Sequence, residues 1–166
     1  MVLPAPMHDA FISYSHAADL DLAPRLEAAL QRFAKPWYRI RALNVFRDAT
    51  NLNLSPHLWD TIASALRDAE HFVYLASPEA AASKWVAKEI DFWLTHKDRN
   101  KLLIVVTGGD LAWDDATSDF DWKVTTCVPR ALVGALSGEP LYLDLRWARQ
   151  ERDLSIANPR FKEAIA

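Results

Sequence analysis

The chain has 166 residues, of which 51% are apolar and 25% charged, with a formal net charge of −3 and a pI near 5.9. That is the size and composition of one ordinary domain, whose folding hides roughly 70% of the unfolded chain's surface. There is no basic stripe of the kind nucleic-acid binders carry. No apolar run is long enough to span a membrane. The single cysteine, Cys127, leaves no internal disulfide to form.

Residues 1–8 carry two prolines and read as a tail, leaving residues 9–166 as one domain. The opening MVLPAP lacks the charged and apolar regions of a signal peptide, so a cytoplasmic protein is expected. Residues 9–15 (DAFISYS) form a short apolar run of the kind buried in a parallel sheet. Residues 19–33 follow with Leu22, Leu26, Ala29, Leu30 and Phe33 at helical spacing, and Asp19 or Asp21 is placed to cap that helix. Pro36 stops it. Residues 42–46 predict a second strand, and the polar residues 47–56 a loop. Ser55 and Pro56 open a helix whose inner face is Leu58, Ile62, Ala65 and Leu66. Residues 71–76 predict a third strand. Ser77 and Pro78 repeat the cap-then-proline signal and open a helix that runs to about His96. Residues 101–107 (KLLIVVT) are the clearest buried strand, ended by Gly108 and Gly109. Residues 110–126 read as a long loop with one helical turn, 129–136 as a short helix, 140–145 as a fifth strand and 158–166 as the start of a last helix.

Strands alternating with helices imply right-handed βαβ crossovers. The fold class is therefore α/β: a flavodoxin-like three-layer sandwich, with a five-stranded parallel sheet of order 2-1-3-4-5 and helices on both faces. Ligands in such sheets bind beyond the carboxyl ends of the strands, where the winding reverses. That directs attention to residues 14–16, 47–54 and 77–89.

Within the last of these, Trp85 and Glu89 are four residues apart and share a helix face. Val86, Ile90, Trp93 and Leu94 form a neighbouring apolar stripe that can face the sheet, which puts Trp85 and Glu89 at the border of the buried face, with Glu89 near solvent. A carboxylate beside an indole is partly desolvated, which suits it to proton transfer or to steadying a cation. By spacing alone the pair also fits a surface glutamate matched with Lys84 or Lys88, with Trp85 as rim packing. Only four glycines are present and no G-x-G-x-x-G loop occurs, so a dinucleotide would be a substrate in a cleft and not a resident cofactor.

Four elements in order resemble those of TIR (Toll/interleukin-1 receptor) domains. Residues 9–15 are similar to the first conserved box. Val45-Phe46-Arg47-Asp48 and the polar loop through Leu54 resemble the second strand and its BB loop. Residues 72–78 resemble the third strand with its Leu-Ser-Pro ending, here Leu75-Ala76-Ser77-Pro78. Ser83-Lys84-Trp85 with Glu89 resembles the Ser/Cys-x-Trp-x-x-x-Glu element of the branch that cleaves NAD⁺. The resemblance implies that Glu89 is catalytic and that Trp85 borders its pocket. It implies that Tyr14 and Ser15 lie by the nicotinamide, that Arg47 and Asp48 start a covering loop, and that Ser77 and Ser83 line the opposite rim. His16, beside Ser15, is a candidate for a phosphate or ribose hydroxyl, or a solvated loop residue. The implied reaction is scission of the nicotinamide–ribose bond with NAD⁺ as substrate and no metal. It yields ADP-ribose or a cyclic isomer, between which the sequence does not choose.

The implied partners are other TIR domains, as a homo-oligomer or filament, and a sensor domain or protein, with bacterial antiphage signalling as the implied setting. Nucleic acid and membrane are not expected as direct partners. The alternative is a module that signals through TIR–TIR contact alone. The loop after the second strand lacks the glycine and proline common in receptor-type loops, which weakens that alternative. A phosphoryl receiver of similar topology is excluded, because the third strand ends in Ala76-Ser77 and not in an acceptor aspartate.

Overall fold

Alternation of apolar residues in short β-branched and aromatic runs builds the sheet. Its strands are β1 (His8–Ser13), β2 (Val45–Arg47), β3 (Ala69–Ala76), β4 (Leu102–Val106) and β7 (Tyr142–Asp144). All pair in parallel, in the spatial order β2-β1-β3-β4-β7. The order is the one expected. The computed structural model describes residues 8–33, 45–47, 57–150 and 158–165, with the backbone alone at 32–33, 45–47 and 165.

The helices are α1 (His16–Asp19), α2 (Leu22–Phe33), α3 (Leu58–Asp68), α4 (Pro78–Ala82), α5 (Lys84–His96) and α6 (Pro159–Ile165). Because successive strand residues point to opposite faces, the sheet feeds two cores. Phe11, Phe72, Tyr74, Ala76, Ile104 and Val106 pack against α3 and α5 through Ile62, Leu66, Val86, Ile90 and Trp93. Ile12, Tyr14, Val73, Leu75 and Val105 pack against α2 and the C-terminal segment through Leu22, Leu26, Leu145 and Phe161. Each fully buried large side chain contributes about 1.5–3 kcal/mol.

Three expectations change. The single helix over 77–96 is two helices, because Ser83 takes an extended conformation (φ −75°, ψ 125°) and starts a new one. Its Oγ accepts from the Val86 amide at 3.3 Å, as Ser77 Oγ accepts from Ala80 at 3.0 Å. The helix over 19–33 is likewise divided, and neither aspartate caps α1: Ser15 stands at that position without a side-chain cap, and Asp19 is buried. The loop over 110–126 contains a small hairpin, β5 (Trp113–Asp114) with β6 (Asp119–Phe120). Trp113 and Trp122 flank Phe120 edge-on, which supplies the packing that so short a hairpin needs. The short helix over 129–136 is a 3₁₀ turn, Arg130–Leu132. The segment 35–41, the cap at Ser55-Pro56 and the loop from residue 48 lie outside the described residues.

Candidate active site

At the carboxyl edge of the sheet, β1 ends on Ser13 and β3 on Ala76, and the chain then turns into α1 and α4. Ser13 lies opposite Tyr74 in the β1–β3 register, and it shares with Phe11 the face that meets α5. The Ser13 hydroxyl donates to Glu89 Oε2, and both residues are fully buried. A buried carboxylate is tolerable only when hydrogen bonds replace its water, and Ser13 supplies one.

This corrects the placement of Glu89. It is not at the border of the buried face or near solvent; it is inside. The reason is helical geometry: Glu89 is three residues after Val86 and four before Trp93, so it belongs to the stripe those residues bury. Trp85 goes the other way. It is 44% exposed, with its ring 6.4 Å from Trp59 of α3. The Lys88 ammonium lies 4.0 Å from the Trp59 ring and 5.6 Å from that of Trp85. Trp85 and Glu89 share a helix but have different neighbours. Ser13, absent from the residues singled out by sequence, is the partner that the β1 alternation points toward Glu89.

The other candidates divide. Tyr14 is buried on the opposite face, and its ring lies 4.9 Å from that of His16, which opens α1. Ser15 is partly exposed, and its carbonyl accepts from the amides of Ala18 and Asp19, so it forms the hinge of that turn. Ser77 is fully buried and its oxygen is occupied by the α4 cap, so it shapes the rim from within. Ser83 caps α5 and remains partly exposed. Arg47 ends β2 opposite Ile12, which brings its backbone to the same edge. Asp48 lies outside the described residues.

A second polar cluster, also not anticipated, stands at the same edge. Asp19 is buried, and its Oδ2 accepts from the Thr107 hydroxyl at 2.8 Å while Oδ1 accepts from Arg149 Nη2 at 3.3 Å. Burial pushes the Asp19 carboxyl up, against the pull of Thr107 and Arg149. Nearby, the Tyr74 hydroxyl donates to the Cys127 carbonyl at 2.7 Å, and burial raises that phenol well above its ordinary range. Among the described residues no helix is long and apolar enough to cross a membrane.

Comparison with known proteins bears on this edge directly. The sequence profile of the TIR domain matches residues 10–155. A curated relative, NAD(+) hydrolase ApTIR from Actinoplanes sp. (strain ATCC 31044 / CBS 674.73 / SE50/110), is 54% identical over 159 residues. The match covers 96% of this chain and 22% of that protein, so the chain spans about a fifth of the relative's length.

Proposed function

The chain belongs to the TIR domain family, and on that premise we propose that it cleaves NAD⁺ between nicotinamide and ribose, with Glu89 as the catalytic carboxylate. The observation that carries the reading is the Ser13–Glu89 hydrogen bond, which holds a buried carboxylate at the carboxyl edge where α/β sheets bind ligands. The 54% identity to a protein named as an NAD(+) hydrolase supports it.

The chemistry asks little of the protein. The bond from ribose C1′ to the pyridinium nitrogen breaks, and its electron pair leaves with nicotinamide, which departs neutral. Positive charge develops on the ribose as in glycoside cleavage. Glu89 stabilises that charge or orients the ribose hydroxyls. Water then bonds to C1′ and releases a proton to solvent, giving ADP-ribose; attack by an adenine nitrogen or ribose hydroxyl gives a cyclic isomer. Tyr14, Ser15, His16, Arg47, Asp48, Ser83 and Trp85 are assigned to the substrate's surroundings, with Ser77 shaping the rim.

Glu89 has no exposed surface, so a ligand reaches it only when the site opens. We assign that opening to self-assembly with other TIR domains, prompted by a sensor domain or protein. The half-exposed Trp85, with Trp59 and Lys88, offers an apolar and cationic surface for such contact. Cytoplasmic antiphage signalling in bacteria is the setting that goes with this reading. Concentrated protein incubated with NAD⁺, with products separated by chromatography, tests it. Nicotinamide should appear together with ADP-ribose or its cyclic isomer, and Glu89→Gln should abolish both. A protein that assembles yet leaves NAD⁺ intact would be an interaction module instead.

A further inference from the structure

The turn that carries Ser15 and His16 is too short to hold itself. The helix α1 has four residues, no side-chain cap, and one buried side chain, Asp19. That side chain is tied to two distant parts of the chain. Thr107, just past β4, accepts from Arg149 Nη2 at 3.2 Å and donates to Asp19 Oδ2 at 2.8 Å. Arg149 Nη2 also reaches Asp19 Oδ1 at 3.3 Å. The Thr107 amide donates to the Ala76 carbonyl at 2.9 Å, so the end of β3 joins the cluster.

The base of Arg149 is itself fixed. It stands on the 3₁₀ turn Arg146–Gln150, whose Ala148 is buried, as is Leu145 just before the turn. Arg146 donates to the Gly109 carbonyl at 3.2 Å and to both oxygens of Asp144. Gly108 leaves the room the guanidinium occupies: a Cβ there would lie 3.1 Å from Arg149 Nη1. Two polar tethers and a matched gap thus converge on one carboxylate, three residues after His16.

We propose that Asp19, Thr107 and Arg149 form a clasp that positions the residue 15–19 turn, so that the segment following β7 sets how well Ser15 and His16 meet the substrate. The three are positioning residues; their effect on NAD⁺ rests on the function proposed above. Losing the clasp leaves Glu89 and Ser13 in place, because they lie on the other face of the sheet. The damage therefore falls on binding and not on the chemical step.

The test compares Arg149→Ala, Arg149→Lys and Thr107→Val with the parent. KM and kcat for NAD⁺ are measured, with amide hydrogen exchange over residues 16–20 as a readout independent of turnover. Arg149→Ala should raise KM roughly ten-fold with kcat within about two-fold, since small misplacements of orienting groups cost one to two orders of magnitude. Exchange over 16–20 should quicken, and Arg149→Lys should restore most of the KM. A parental KM in Arg149→Ala overturns the proposal, as does a fall in kcat that lysine leaves unrescued. Should Arg149→Ala not fold, Thr107→Val, which keeps the ion pair, decides: an unchanged KM overturns the clasp. Should the parent leave NAD⁺ untouched, the proposed function falls, and the clasp stands or falls on whether exchange over 16–20 quickens.

Discussion

Replacing Ser13 by alanine takes one hydroxyl from beneath Glu89 and leaves the carboxylate itself. A hydrogen bond to a charged group contributes about 1.5–3 kcal/mol, and a buried acceptor deprived of it loses that much support. At about 1.4 kcal/mol per factor of ten, kcat for NAD⁺ should fall roughly 10- to 150-fold if the bond holds Glu89 in its working orientation. The same loss should lower the melting temperature by roughly 3–12 °C in a domain of this size. Glu89→Gln keeps the shape and removes the charge, so it should abolish turnover. Because both changes act through one contact, the stability costs in the double variant should add up to less than their sum. Melting curves and chromatographic NAD⁺ assays on the four proteins complete the cycle. A parental kcat in Ser13→Ala, or strictly additive stability losses, would refute the reasoning that Ser13 governs Glu89.

Three further outcomes follow from other parts of the molecule. Burial pushes the Cys127 thiol up to about 11, and its sulfur donates to the Asp110 carbonyl at 3.2 Å. At about pH 8 only ~0.1% of it is thiolate, so alkylation should run at least ~100-fold slower in the native protein than in denaturant; comparable labelling rates contradict this. At Gly109 φ is +78°, and a Cβ would lie 2.7 Å from Thr126 Oγ1 and 2.9 Å from Pro78 Cγ. Gly109→Ala should therefore cost about 2–5 kcal/mol in denaturant titrations, from left-handed strain plus overpacking. The third concerns pH. Asp144 is held below its ordinary range chiefly by hydrogen bonds from Arg146, so its support is present above pH 3.8 and is lost as pH falls through the lowered value. Asp19 is shifted the other way, so its charged form opposes folding at neutral pH and is relieved as pH falls toward 3.8. Melting temperatures should show the parent gaining on Asp19→Asn between neutral pH and 3.8, and losing to Asp144→Asn below it. Equal slopes would contradict both assignments.

What could be read from the sequence was what local pattern determines. Residues 101–107 have no alternative to a buried strand, and the cap-then-proline signal at Ser77-Pro78 does open a helix. The burial of Glu89 was also legible, since Val86 and Trp93 flank it at helical spacing; weighing it against Trp85 instead put it at the border. Ser83 was read as a rim residue inside one helix because nothing local distinguishes a serine that interrupts from one that continues. The hairpin at residues 113–120 was hidden for another reason. Its turn uses Ser118 at φ 51°, where a glycine or asparagine would have signalled it. Its stability comes from packing and from Asp119 accepting from Trp122 Nε1 and the Gly134 amide. The clasp on Asp19 joins residues 88 and 130 positions apart, which no spacing rule reaches.

The two-sided reading of β1 bears on which length changes this strand could accept. Ser13 faces α5 and Tyr14 faces α2 because each occupies its own parity along one extended run. Inserting or deleting a single residue upstream of Ser13 within His8–Ser13 would exchange the two, turning the tyrosine toward Glu89 and the hydroxyl toward the wrong core. A change of two residues would keep the parity yet move Ser13 about 6.6 Å along the sheet, out of reach of the carboxylate. Substitution is thus the one kind of variation open to this strand, while the loops beyond its end can lengthen or shorten without disturbing the pairing.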